Sequence, residues 1–208
     1  MFDYANKLLR SEYRTDAVSA ARALLGQVLV TELDGVRTSG IISETEAYMG
    51  KIDRASHAWG GRRTARTETM YAEGGISYVY LIYGMYYCMN VVVNDKEIPE
   101  AVLIRELIPL EGVDTMLRRR KASNRSVSLR HLTDGPGKLC RALGIDKALN
   151  AVPLDGDKMY ICDLGYSLTG EICASERINI DYAGEDARKL WRFTIAVDDP
   201  LRSLTAAQ

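Results

Sequence analysis

The segment Gly74–Val93, GGISYVYLIYGMYYCMNVVV, constrains the fold more than any other part of this chain. Two runs of strand length flank Gly84, so the spacing predicts a long β-hairpin or bent ribbon that reverses near Tyr83-Gly84. A buried strand pair needs only aliphatic side chains, yet Tyr78, Tyr80, Tyr83, Tyr86 and Tyr87 lie here, five of the chain's 12 tyrosines. Phenols gathered on both sides of a turn suit rings that meet something flat with polar edges, and a nucleic-acid base is such an object.

The other segments read as short elements of both kinds. Thr15 or Asp16 can cap a helix through DAVSAARALL that stops at Gly26, and QVLVTEL follows as a strand. Asp34-Gly35 is a hairpin signal, so a second strand returns through VRTSGIISETEAYM with a kink at Gly40. AVLIRELIPL has the pattern of a core strand. EGVDTMLRRRK and GPGKLCRALGI are helical, the second opened by Pro136 and closed by Gly144. MYICDL and WRFTIAV are short strands between polar turns. The chain has 208 residues and no repeat or Pro/Ser-rich linker, which predicts one compact mixed α+β domain over residues 1–208 with largely antiparallel pairing.

No apolar run approaches the ~18 residues of a membrane span, and MFDYANKLLRSEYRTD has no signal-peptide core, so the expected location is the cytoplasm. Cys88, Cys140, Cys162 and Cys173 form no CxxC pair, and with only His57 and His131 beside them there is no zinc-ligand spacing; buried, reduced thiols and no metal are expected. A net charge of −1 counts against a nucleic-acid partner, but the charge is uneven. Residues 118–130, RRRKASNRSVSLR, carry six bases and no acid, while the stretch from Asp146 to Asp186 is rich in carboxylates. The basic run is either a solvated loop or one that contacts phosphates.

Strand alternation places Glu44, Glu46 and Tyr48 on one face of SETEAY, with Thr45 and Ala47 on the other. Two glutamates there are either a solvated face or a catalytic group beside an aromatic ring. Arg105, inside VLIREL, must find a partner or face a site, and a buried carboxylate would satisfy it. Asn90 either caps a turn or reads a ligand, and His57 either holds a structural hydrogen bond or stacks. GGRRTAR lacks the GK[ST] ending of a nucleotide-binding loop, although its arginines can hold backbone phosphates.

In their order, LLGQVLV, ETEAY, HAWGGRRT, YVYLIYGMYYCMN, VLIRELIPLEG, GPGKLCRALGI and RINIDYAGEDARKLWRF resemble the alkyladenine (3-methyladenine) DNA glycosylase family of mammals and many bacteria. The resemblance implies a curved sheet surrounded by helices, with a protruding β-hairpin. It implies that Glu46 activates water, that Arg105 helps position water and the target nucleotide, and that a backbone carbonyl near the water falls at Ile178. Tyr48, His57 and Tyr80 then correspond to rings that sandwich a flipped base, Asn90 to a guard against guanine's exocyclic amine, and Tyr83 to the wedge left in the duplex. Arg62, Arg63 and Lys138 are candidates for the DNA backbone.

The implied partner is double-stranded DNA carrying damaged purines, met by a monomer that needs no cofactor and leaves an abasic site. The location would be cytoplasmic in a bacterium and nuclear in a eukaryote. The chemistry suits these residues: a carboxylate can take a water proton and stabilise an oxocarbenium-like sugar, and electron-rich rings attract a cationic alkylated base by ~0.5–2 kcal/mol per contact. The chain departs from the family pattern at TETMYAEGG, residues 67–75, and in the insertion-like NDKEIPE after Val93. Competing readings are a non-catalytic nucleic-acid-binding module, which has no need of Glu46, Arg105 and His57 together, and hydrolysis of free nucleosides, which needs no wedge.

Overall fold

The structure is a computed structural model that describes residues 3–121, 127–166 and 171–195. Asp16 caps helix α1 (Ala17–Ala23) by accepting the amides of Val18 and Ser19, both at 3.0 Å. A short carboxylate at this position satisfies two of the helix's unpaired donors. The chain then enters strand β1 (Val28–Leu33) and turns at Asp34 and Gly35, whose φ values of 54° and 74° are the paired positive values of a type I′ turn.

It returns as β2 (Val36–Tyr48), whose 13 residues are long enough to take two partners along one edge. Residues 36–41 pair with β1, and Glu44–Glu46 pair with β8 (Arg192–Thr194), which also holds the three-residue β7 (Cys173–Ser175). The other edge of β2 pairs with β5 (Glu100–Glu111), followed outward by β4 (Tyr86–Val93) and β3 (Ile76–Ile82). With β6 (Met159–Cys162) beside β1, the order is β3-β4-β5-β2-β1-β6, and every pair is antiparallel.

Period-two alternation divides the sheet's residues between two cores. Ile42, Val91, Val93, Val102 and Ile104 face α1, α2 (Val113–Arg120) and α3 (Pro136–Leu143), packing on Ala20, Met116, Leu139 and Leu143. Met116, Leu139 and Leu143 are fully buried, each stabilising the fold by about 1.5–3 kcal/mol. On the opposite face Ile76, Tyr78, Val92 and Ala101 pack against Ala58, Met70 and Tyr71 of the 3₁₀-rich segment 49–75. The three α-helices thus share one face, and the other is left for short turns and a cleft.

Arg118–Arg120 belong to α2, as the helical pattern of EGVDTMLRRRK predicts, so the basic run begins as helix and not as loop, and residues 122–126 of that run lie outside the described residues. Cys173 is exposed on β7, whereas Cys88, Cys140 and Cys162 are buried. The strand β7 itself, only three residues long, has no periodic signal to announce it.

The tyrosine segment is the β3–β4 hairpin, reversing at Tyr83 and Gly84 with φ of 53° and 68°. The Met85 amide donates to the Ile82 carbonyl at 3.2 Å to close the turn. Glycine accepts this left-handed backbone freely, but a tyrosine there is strained by on the order of 1 kcal/mol or more. Leu81, Tyr83, Met85 and Tyr86 at the tip are 45%, 76%, 67% and 42% exposed, so a large apolar area there faces outward. One side of the hairpin's turn end packs on α3, where an added Cβ on Gly137 would lie 3.0 Å from Tyr86 Cβ.

Candidate active site

Strand register sets Tyr78, Asn90, Leu103 and Glu46 in one row across β3, β4, β5 and β2, with Arg192 of β8 next to Glu46. One row further, the β2–β5 pairing shifts on both sides of Glu44 and leaves Arg105 without a cross-strand partner. A bulge of this kind re-aims a side chain. Arg105 Nε donates to Glu44 Oε1 at 2.8 Å, and its Nη1 lies 3.4 Å from Glu46 Oε1. Burial opposes the guanidinium charge, but the carboxylates of Glu46 and Glu44 outweigh it and raise the Arg105 pKa above its ordinary value. Arg192 Nη1 also reaches Glu44 Oε1, at 3.2 Å.

Glu46 is 0% exposed, and both its oxygens are engaged. The Tyr48 hydroxyl donates to Oε2 and the Ile178 amide donates to Oε1, each at 2.8 Å. Burial, then the charge of Glu46, pushes the Tyr48 phenol well above its usual range, so it remains a donor. The Ile178 N–H thus holds the carboxylate directly. Glu46 itself does not line the open cleft, but Tyr48, Arg105 and Ile178, which surround it, all do.

That cleft has a volume of about 520 Å³. Alternate residues of three strands line it: Tyr78, Tyr80 and Ile82 of β3, Cys88 and Asn90 of β4, and Ala101, Leu103 and Arg105 of β5. His57 and Tyr80 meet edge to face, with centroids 4.7 Å apart and planes at 72°. A base between two rings needs them about 7 Å apart, twice the ~3.4 Å stacking rise. His57 and Tyr80, in direct edge contact, therefore stand together on one wall of the cleft with no gap between them for a flat ring. The His57 Nδ1 shares a 2.9 Å hydrogen bond with the Tyr78 hydroxyl, and Arg66 Cζ lies 4.9 Å from the centre of the Tyr80 ring. Asn90 is buried, its Nδ2 donating to the Tyr78 carbonyl at 3.0 Å.

Burial, with the charges of Arg66 and Arg62, lowers the His57 pKa from 6.5 to about 4, so the ring is neutral at pH 7. Between those two values the unfolded chain binds a proton that the folded chain does not, so this contribution to stability is complete above pH 6.5 and declines as the pH falls toward 4. Denaturation midpoints measured from pH 7 to about 4.5 should fall, and the fall should be smaller in His57→Gln. Equal slopes in the two proteins would contradict this account.

The backbone candidates differ in their engagement. Arg62 is exposed, while Arg63 is held by Glu68 at 2.7 and 2.8 Å and by Glu97 at 2.6 Å, and neither lines the cleft. Lys138, in the first turn of α3, does line it, with its Nζ on Asp134 Oδ1 at 2.8 Å. From the basic run, Arg120 at the end of α2 lines the cleft as well. Among the described residues no cluster of three His, Cys, Asp or Glu side chains is arranged to hold a metal.

Sequence reasoning missed several residues here. Tyr78, given no role of its own from the sequence, anchors His57. Tyr182, 74% exposed, lines the rim. Asp53 and Arg177 form a wholly buried ion pair against Tyr48, with contacts of 2.6 and 2.8 Å. Only the match of RINIDYAGEDARKLWRF pointed to that region, without a role for its first residue.

Known proteins resemble the chain over almost all of this architecture. Residues 11–199 match the methylpurine-DNA glycosylase family. A protein of Clostridium acetobutylicum, provisionally named 3-methyladenine DNA glycosylase, is 49% identical over 193 residues, covering 91% of this chain and 94% of its own. Relatives under the same provisional name in Desulfitobacterium hafniense and Bacillus cytotoxicus are 47% and 49% identical, covering 90% and 87% of the chain and 94% and 92% of their own lengths. With a family match over residues 11–199 and relatives nearly half identical over about nine-tenths of its length, the chain belongs to the methylpurine-DNA glycosylase family.

Proposed function

We propose that this DNA glycosylase hydrolyses the N-glycosidic bond of alkylated or deaminated purines flipped out of duplex DNA, acting as a monomer and leaving an abasic site. The observation that carries the reading is Glu46, a fully buried carboxylate bonded by Tyr48, Ile178 and Arg105 directly behind an aromatic cleft. A buried charge is costly unless it is paired, and one kept beside an open cleft suits the generation of a nucleophile.

In this scheme the base enters between Tyr48 and the His57–Tyr80 wall, and a water takes over one of the bonds to Glu46. The carboxylate accepts that water's proton and stabilises the positive sugar as the base departs. The Ile178 carbonyl and Arg105 orient the water and the nucleotide, and Asn90 limits what the pocket admits. In the same reading Lys138, Arg120 and Arg62 contact phosphates, whereas a phosphate at Arg63 would compete with two carboxylates. The cleft's lysine, Lys138, has its ammonium on Asp134, which favours hydrolysis by water over a Schiff base.

Duplexes carrying 3-methyladenine, 7-methylguanine, hypoxanthine or ethenoadenine test the reading. The expected result is free base, detected by chromatography, from at least one lesion with the strand left intact. No release from any of them would overturn the glycosylase reading, and a borohydride-trapped adduct would overturn the monofunctional one.

The exposed tip predicts a separate effect. Tyr83→Ser should weaken capture of the flipped lesion by about 1–3 kcal/mol, the usual range for one base–aromatic stack, while leaving the thermal midpoint unchanged or slightly raised. Unchanged lesion affinity and excision rate would argue against a wedge at this position.

A further inference from the structure

We propose that Arg177, paired with Asp53, is a positioning residue that fixes Glu46 and Tyr48 in their reactive arrangement, an inference that rests on the glycosylase reading above. Both side chains of the pair are 0% exposed. Arg177 Nη1 donates to Asp53 Oδ2 at 2.6 Å and to the Ala47 carbonyl at 2.9 Å, while Nη2 donates to Asp53 Oδ1 at 2.8 Å and to the Asp186 carbonyl at 3.1 Å. Its guanidinium carbon lies 4.8 Å from the centre of the Tyr48 ring and 5.0 Å from that of Trp191. Asp53 in turn accepts the amides of Met49 at 3.1 Å and Ala55 at 3.0 Å.

The positions of these bonds in the chain give them their meaning. Ala47 stands between Glu46 and Tyr48 on β2, and Arg177 immediately precedes Ile178, whose amide holds Glu46 Oε1. One guanidinium thus sets the separation between β2 and the segment that grips the carboxylate. It also lies against the Tyr48 ring, whose hydroxyl holds the other carboxylate oxygen. A planar, five-donor group can meet such requirements together, and an ammonium cannot. Reactive geometry tolerates little displacement, and an error near 1 Å at a distance can cost about 10²-fold in rate.

The test separates positioning from folding. Replacing a buried ion pair by apolar residues is often neutral in itself, but Asp53→Leu/Arg177→Met also frees the backbone groups of Met49, Ala55, Ala47 and Asp186, so it should fold with a lowered thermal midpoint. Single-turnover base release, with enzyme in excess over dimethyl sulfate-methylated duplex DNA, should also slow by about 100-fold. Lesion affinity should change by no more than about threefold. A purely structural role would lower only the midpoint or the active fraction and leave the rate constant per folded molecule unchanged.

Arg177→Lys keeps the charge beside Asp53 and decides the matter if the double variant does not fold. It should slow release by about tenfold at an unchanged active fraction. Wild-type rate constants in these variants, with release by Glu46→Gln slowed at least about 100-fold, would overturn the positioning role alone. No base release by the wild-type chain would instead overturn the glycosylase reading on which it rests.

Discussion

Glu46→Gln is expected to bind a lesion duplex as tightly as the wild-type chain and to release the base about 10²–10⁴-fold more slowly. The amide nearly matches the carboxylate in shape, and its remaining carbonyl oxygen can still accept the Ile178 amide. The variant loses the negative charge that would stabilise the cationic sugar and the basic oxygen that would take the water's proton. Arg105 keeps its 2.8 Å bond to Glu44 in this variant, so no cation is stranded and the thermal midpoint should move little. Single-turnover chromatography of the released base, alongside anisotropy of the bound duplex, measures both halves. Excision within about threefold of the wild type would remove Glu46 from its proposed role.

Much of the scaffold was legible because its signals are local. Asp16 at the start of α1, Asp34-Gly35 in the first hairpin, Tyr83-Gly84 in the second, and Pro136 and Gly144 around α3 each act within a few residues. The alternation of Glu44, Glu46 and Tyr48 about Thr45 was legible for the same reason, and Thr45 does point away, its hydroxyl donating to the Ala21 carbonyl at 2.8 Å. Arg105 in an apolar strand called for a carboxylate, and it has two.

Alignment between strands was not legible. The row from Tyr78 to Glu46 depends on the pairing of four strands, and the aim of Arg105 depends on register shifts flanking Glu44. Neither leaves a periodic trace. Asp53 and Arg177 lie 124 positions apart, each in a polar segment that reads as surface until the fold encloses both. The cleft itself arises in the same way, since Tyr48, His57 and Tyr80 come from separate segments and only the family resemblance grouped them.

Arg105→Met should be the most destabilising of these single changes, by about 3–5 kcal/mol, the usual result of removing one partner from a buried charge cluster. Arg105 and Glu44 have side chains only 13% exposed, and Glu46 has none of its side chain exposed. Without the guanidinium, Glu46 keeps two neutral donors, while Glu44 keeps Arg192, whose Nε is already committed to Ser175 at 3.0 Å and the Glu176 carbonyl at 3.1 Å. Adding Glu44→Gln removes the acid that is left with Arg192 alone, so the double variant should recover part of the lost stability in denaturant titrations. Base release should not recover with it, because the group proposed to position the water and the nucleotide is still missing. Wild-type stability in Arg105→Met would refute the charge-compensation argument. Recovery of both stability and base release in the double variant would leave Arg105 with a structural role only.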